Sequence, residues 1–248
     1  MSLKAALKTR VRTSMPRTLK NIWLLQQSIV KISKSEDREC NLCGHTGRFW
    51  PCGSPPRQAV VCGKCGSMER HRLIGLWLAA NGSLVDDANV LHFAPEPRLT
   101  ELFRERARIY RSADLDPTHG DVVLNIEDID LQDNSIDLVV CIHVLEHVDD
   151  RQALKEIHRI LTPGGRAILM FPLVEGWQYT YADPAHTSAE ARIKYYGQHD
   201  HVRMFGRDVR ERIAEAGFDL SEFTAEEPDV ARYGLTRGEK IFVATKSN

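Results

Sequence analysis

No stretch of this 248-residue chain approaches the ~18 or more apolar residues that a membrane-crossing helix needs. No secretory leader is visible, because the first apolar stretch, residues 22–25, is too short for one. Residues 1–34 contain no acid at all. They hold Lys4, Lys8, Arg10, Arg12, Arg17, Lys20, Lys31 and Lys34, so the formal net charge of -1 hides a basic arm on a more acidic remainder. With Leu3, Leu7, Trp23 and Ile29 interleaved, that arm suits an anionic membrane surface, a partner, an organellar transit peptide or a docked helix; nucleic acid is the weaker expectation. Hydrophobic residues at 42% and charged residues at 27% are ordinary for a soluble protein, and the length allows one sizeable core with a small appendage.

Cysteine is sparse, at six residues, and four of them fall in one pattern. Cys40-Asn-Leu-Cys43 and Cys62-Gly-Lys-Cys65 are two Cys-x-x-Cys knuckles separated by residues 44–61, the spacing of a structural zinc site. A glycine follows each second cysteine and permits a tight turn. Four thiolates leave no open position, so the expected Zn2+ is structural. Cysteines kept for a metal point to a reducing, cytoplasmic setting. Residues 37–67 are therefore expected to form a zinc-ribbon module between a basic helical arm, 1–36, and a larger domain, 68–248. Between the knuckles only Arg48 and Arg57 are basic, which favours a scaffold or substrate lid over a nucleic-acid grip. Ser67 is the expected cap of a following helix that buries Leu73, Leu76, Trp77 and Ala80. Glu69, Arg70, His71 and Arg72 lie at the junction, where they could reach a substrate.

Residues 138–142 form a short, β-branched apolar run, as expected of a strand buried on both faces. His143, Glu146 and His147 follow at once. Leu154, Ile157, Ile160 and Leu161 have helical spacing, Thr162-Pro163-Gly164-Gly165 breaks the pattern, and residues 167–171 are again apolar, which reads as a βαβ unit. The strings Asp133-Asn-Ser-Ile-Asp-Leu-Val-Val, Val-Leu-Glu-His-Val148 and Arg159-Ile-Leu-Thr-Pro-Gly-Gly165 resemble class I S-adenosylmethionine-dependent methyltransferases, most of all the branch acting on small molecules. The resemblance covers about residues 88–172. It implies a Rossmann-like α/β fold with a seven-stranded sheet, order 3-2-1-4-5-7-6, the seventh strand antiparallel and helices on both faces. The cysteine pattern running into residues 67–73 also resembles the leader of bacterial methyltransferases that carry a zinc ribbon.

The resemblance also places S-adenosyl-L-methionine. Strand one is expected at residues 89–93 and its helix at 97–107. Between them the family has a Gly-x-Gly turn, whereas here the turn is His92, Phe93, Ala94, Pro95, Glu96, and only Ala94 is small. Glu96 is then the expected partner of the cofactor's amino group. Asp114, beside Leu115 after a second strand at 108–113, matches the ribose-binding carboxylate, with Asp116 as its backup. A third strand at 122–125 ends at Asn125, where the family has an acid for the adenine amino group, with Ile126 and Glu127 adjacent.

In the second half, a helix over 206–216 and strands over 218–223 and 240–245 complete the sheet. His143, His147, His199 and His201 are the candidate catalytic bases, with His143 also close to the cofactor. In some quinone O-methyltransferases a similar Val-x-Glu-His cluster holds a divalent metal, and His143, Glu146 and His147 could do so here. The expected activity is methyl transfer to a small acceptor: a sugar, a lipid-linked molecule or a secondary metabolite, at oxygen or nitrogen. An RNA or protein methyltransferase and a non-catalytic binding module stand as alternatives.

Overall fold

The computed structural model describes residues 37–53 and 56–247; the basic arm lies outside the described residues. Two short antiparallel ribbons come first: β1 (Arg38–Glu39) with β2 (Thr46–Gly47), and β3 (Phe49–Cys52) with β4 (Arg57–Cys62). Then follow α1 (Glu69–Asn81), β5 (Asn89–Phe93), α2 (Pro97–Arg104), β6 (Ile109–Asp114), β7 (Val122–Val123), β8 (Ile136–Ile142), α3 (Asp150–Ile160) and β9 (Leu161–Met170). The chain ends with α4 (Ala189–Tyr196), α5 (Val209–Glu215), β10 (Phe218–Thr224), α6 (Asp229–Tyr233) and β11 (Lys240–Lys246).

The seven-stranded sheet runs β7-β6-β5-β8-β9-β11-β10. Renumbered within the sheet, this is 3-2-1-4-5-7-6, and β11 is antiparallel to both neighbours. The central strands are buried on both faces because their side chains alternate between two apolar layers. Leu91, Phe93, Val139, Cys141, Ala167 and Leu169 pack under α3 and α5 with Leu154, Ile157 and Ile213. Val90, Leu138, Val140, Ile142 and Ile168 pack under α1 and α2 with Ile74, Trp77, Leu99 and Phe103. The amphipathic α3 starts sharply because the Asp149 carboxylate accepts from the N–H groups of Arg151 and Gln152 at 3.1 and 3.2 Å.

Several local expectations are corrected. Ser67 does not cap α1; it is fully buried with its hydroxyl 3.2 Å from Cys40 Sγ, and Met68 takes the cap position, its N–H bound to His71 Nδ1 at 3.2 Å. The buried face of α1 is Leu73, Ile74, Trp77 and Leu78, while Ala80 is exposed. The α2 helix stops at Arg104, and α5 starts only at Val209, after a turn over residues 206–208. The Pro163-Gly164-Gly165 run does not end the pairing; it forms an irregularity inside β9, where Ile136 pairs with Leu161 but Leu138 with Arg166. Strand β7 is two residues long because Asn125 turns the chain, its Oδ1 accepting from Glu127 N–H at 3.1 Å.

Gly206 holds the last docked loop against the body of the protein. A Cβ there would lie 2.5 Å from the backbone carbonyl carbon and oxygen of Tyr179, whereas one at Gly176 would meet nothing within 4 Å. Gly206→Ala is expected to lower stability by about 1–3 kcal/mol, and Gly176→Ala to change it by less than ~0.5 kcal/mol, in equilibrium urea unfolding.

Candidate active site

The carboxyl ends of β5, β6, β7, β8 and β9 share one edge of the sheet. Because β5 lies between β6 and β8, successive connections leave in opposite directions and open a crevice there. Two non-glycine residues on this edge hold left-handed backbone: Ala94 after β5, at φ +47°, and His143 after β8, at φ +56°. Such strain persists only where surrounding structure imposes it. Ala94 N–H donates to Ala113 O at 2.9 Å, and His143 N–H to Met170 O at 2.8 Å, so both turns are tied to the neighbouring strand.

On the β5–β7 side stand the residues expected to meet a cofactor. Asp114 ends β6, its Oδ1 accepting from Asp116 N–H at 2.8 Å; next to it Leu115 is an exposed large apolar side chain. Gly120 packs so tightly that a Cβ would lie 2.8 Å from Asp114 N. The backup acid, Asp116, spends its Oδ1 on the N–H and hydroxyl of Thr118. Ile126 is buried, and Glu127 accepts from Asp149 N–H at 2.6 Å.

At three of the expected cofactor residues the structure shows the side chain engaged elsewhere. The His92 side chain is turned into the core, edge-on to Phe103 and Tyr110 with Nδ1 2.9 Å from Tyr110 Oη, and burial pushes its pKa down to about 4. Phe93 is likewise buried in the opposite apolar layer. Glu96 is already matched. Arg70 Nε lies 2.9 and 3.0 Å from its two oxygens, and His71 Nε2 binds the same carboxylate. Burial alone would raise this carboxyl; His71 and Arg70 outweigh it and hold the pKa at about 2.

On the β8–β11 side the same edge opens into a cavity of about 700 Å³. His143, Glu146 and His147 form one wall; Phe171 and Pro172 after β9 and Lys240 at the start of β11 form another. Cys52, Gly53 and Arg57 from the cysteine module, with Glu69 and Arg70 of α1, close a third, and residues 236–239 the fourth. Glu146 is buried; its Oε1 accepts from His143 Nδ1 at 3.0 Å. That bond fixes the proton on Nδ1 and leaves His143 Nε2 as a proton acceptor. His147 Nδ1 lies 3.4 Å from Asp200, and its ring stands edge-on to His201 at 4.7 Å.

His201 also lines the cavity; its Nδ1 donates to Tyr196 O at 3.1 Å, and burial lowers its pKa. Its loop is docked, since Val202 N–H donates to Glu146 O at 2.9 Å and the half-buried Arg203 pairs with Asp150. His199 is different, with a side chain 67% exposed and no place in the cavity wall. The metal-type trio that converges is Glu146, His147 and His201, within 4.8 Å, rather than one containing His143.

The four knuckle cysteines lie with every Sγ within 4.8 Å of the others. Cys40–Cys65 is 3.6 Å and Cys43–Cys62 is 3.8 Å. A tetrahedron with Zn–S bonds of about 2.3 Å has S···S edges of about 3.8 Å, so donor set and spacing both fit zinc. The module is fastened by Arg72, which is fully buried over the Phe49 ring and donates to Ser67 O at 2.7 Å, Tyr233 O at 2.7 Å and Gly234 O at 3.0 Å.

Residues 76–169 match the family described as "Methyltransferase domain". Among solved structures, a chain in the complex of the Haloferax volcanii Trm112 methyltransferase activator with a methyltransferase aligns with a TM-score of 0.51 at 18% identity, covering 71% of this chain and 94% of that one. An S-adenosylmethionine-dependent methyltransferase from Mesorhizobium loti aligns with a TM-score of 0.50 at 15% identity, covering 70% and 97%. These likenesses show the fold. An uncharacterised protein of Methanocaldococcus jannaschii is 47% identical over 49 residues, 20% of this chain; the match spans about a fifth, 22%, of that curated relative. Residues 76–169 thus match a methyltransferase domain, and the sheet around them has the fold of these solved methyltransferase structures.

The Arg70–His71–Glu96 cluster ties α1 to the turn after β5, and linkage gives its sign. The folded carboxyl titrates below its unfolded value, so its contribution is present above about pH 4.3 and is lost as pH falls toward about 2. Glu96→Gln should cost about 2–3 kcal/mol near neutral pH. In denaturant titrations at several pH values, the gap to wild type should narrow as the pH is lowered from ~5. A gap independent of pH would contradict the assignment.

Proposed function

We propose that this protein is a cytoplasmic S-adenosylmethionine-dependent methyltransferase whose acceptor is a small molecule bound between the methyltransferase sheet and the cysteine module. The observation that carries the reading is the cavity of about 700 Å³ beside the cofactor edge, a size suited to a small ligand. Its walls include Cys52, Gly53 and Arg57, which gives the module the role of a substrate wall. Residues 37–67 act as a zinc ribbon whose Cys40, Cys43, Cys62 and Cys65 hold a structural Zn2+, and residues 68–248 form the catalytic domain. Cysteines committed to a metal favour the reducing cytoplasm.

Bound S-adenosylmethionine supplies the methyl group, as a sulfonium whose charge is lost on transfer. Asp114 accepts the ribose hydroxyls, with Leu115 and Ile126 as apolar walls for the adenine and Asn125 and Glu127 at its edge. Ala94 lets the β5 turn approach the cofactor without a bulky side chain. His143, at the boundary between this crevice and the cavity, takes the acceptor's proton on Nε2. Glu146 is its positioning residue, since it fixes the tautomer from a buried site. His147 and His201 shape the far wall. Most of the rate then comes from positioning acceptor and methyl donor in line.

Calorimetry is expected to show S-adenosylhomocysteine binding that Asp114→Ala weakens by roughly 1.5–3 kcal/mol; unchanged affinity would remove Asp114 from the ribose site. Elemental analysis should find about one zinc per chain. Replacing Cys40 and Cys43 by serine should release it, and full metal occupancy in that double variant would overturn the zinc assignment.

A further inference from the structure

Charged groups around the cavity are matched almost throughout. Glu69 pairs with Arg57 at 3.1 Å, Glu175 with Arg210 at 2.6 Å, and Arg70 with Glu96. Lys240 lies 3.1 Å from Glu222, and Arg237, at the solvent rim, 2.5 Å from Glu227. Two acids depart from this: Glu146, whose buried Oε2 has no hydrogen-bond partner among the described residues but whose Oε1 accepts from His143, and Glu239. Glu239 sits in the turn before β11, where its N–H donates to Thr236 O at 3.2 Å, and it lines the cavity. Its Oε2 is buried and has no hydrogen-bond partner among the described residues.

The ionisable groups that face Glu239 are His143, Glu69, Arg70 and Arg57. Both arginines are committed to other carboxylates, and burial pushes the Glu239 carboxyl up. A buried carboxylate oxygen without a donor is costly, and a charge-assisted hydrogen bond is what relieves it best. An anionic acceptor would instead meet a second carboxylate, with the nearby cations already paired.

We propose that Glu239 is the recognition carboxylate for a basic nitrogen on the acceptor, so that the acceptor is an amine or a similar cation. This rests on the small-molecule methyltransferase reading and deepens it. The nitrogen held by Glu239 is the group recognised and need not be the atom methylated. Glu239 lines the same cavity as the proton-accepting His143 but belongs to the turn before β11, apart from the segments after β5, β6 and β7 assigned to the cofactor, and so selects the acceptor without touching the cofactor.

The test incubates the full chain with isotopically methyl-labelled S-adenosylmethionine and a metabolite extract, and sorts labelled products by charge. The labelled product should be retained on a cation exchanger at about neutral pH, where amines are protonated. Glu239→Gln should lower that label at least about ten-fold, the scale of one charge-assisted hydrogen bond, while S-adenosylhomocysteine affinity stays within about two-fold. Glu239→Asp, which keeps the charge, should retain part of the label. Label confined to neutral or anionic products overturns the proposal and leaves the methyltransferase reading intact, as does label unaffected by Glu239→Gln. If that variant does not fold, the charge of the wild-type product decides alone. No label in any fraction overturns both readings.

Discussion

Strands that run parallel cannot be joined by a tight turn, so each connection must cross a face of the sheet. The pairing of β5 with both β6 and β8 imposes that constraint at the centre of this protein. One crossover lies over each face, and the two connections part at the carboxyl edge. Every group with a proposed chemical role stands on that edge or on a segment docked against it. The side chains beneath are a fully buried apolar double layer, which gives the edge a rigid base. The left-handed turns at Ala94 and His143 are sustained by that base, through bonds to Ala113 and Met170.

On the proposed reading the edge is divided between two uses. Toward β6 and β7 it offers an acid, an exposed leucine and a small-residue turn, a surface suited to a nucleoside. Toward β9 and β11 it is roofed by elements from both chain ends. Arg72 is the fastening: a buried cation that among the described residues forms no ion pair but is shared by three backbone carbonyls. Those carbonyls belong to the cysteine module and to the carboxyl end of α6, Tyr233 and the following Gly234. The module and the segment carrying Glu239 are therefore held by one side chain, which explains why both can wall the same cavity.

Much of this was legible in the sequence. The uninterrupted apolar run of β8, the helical spacing of α3 and the two cysteine knuckles depend on local pattern, and local pattern survives folding. The strand order followed from resemblance and agrees with the observed pairing. What was not legible depends on partners far apart in the chain. Glu96 looked free because nothing near it in sequence is basic except Arg98; its partners, Arg70 and His71, come from another helix. His92 looked like a cleft residue because it lies one place before the end of a strand, but side chains alternate, and its own faces the core. Ser67 has the right chemistry for a helix cap, yet its hydroxyl is drawn to Cys40. Glu239 carried no signal, since an acid in a Gly-Glu-Lys turn is ordinary until the cavity around it is seen.

The division of the edge into a cofactor half and an acceptor half is the claim on which the rest stands. Hydrogen exchange read by mass spectrometry, with and without S-adenosylhomocysteine, tests it directly. The account predicts new protection at residues 94–97, 114–116 and 125–128, with residues 198–203 and 236–240 unchanged. Protection concentrated in 198–203 and 236–240, with the ends of β5 and β6 unaffected, would contradict it.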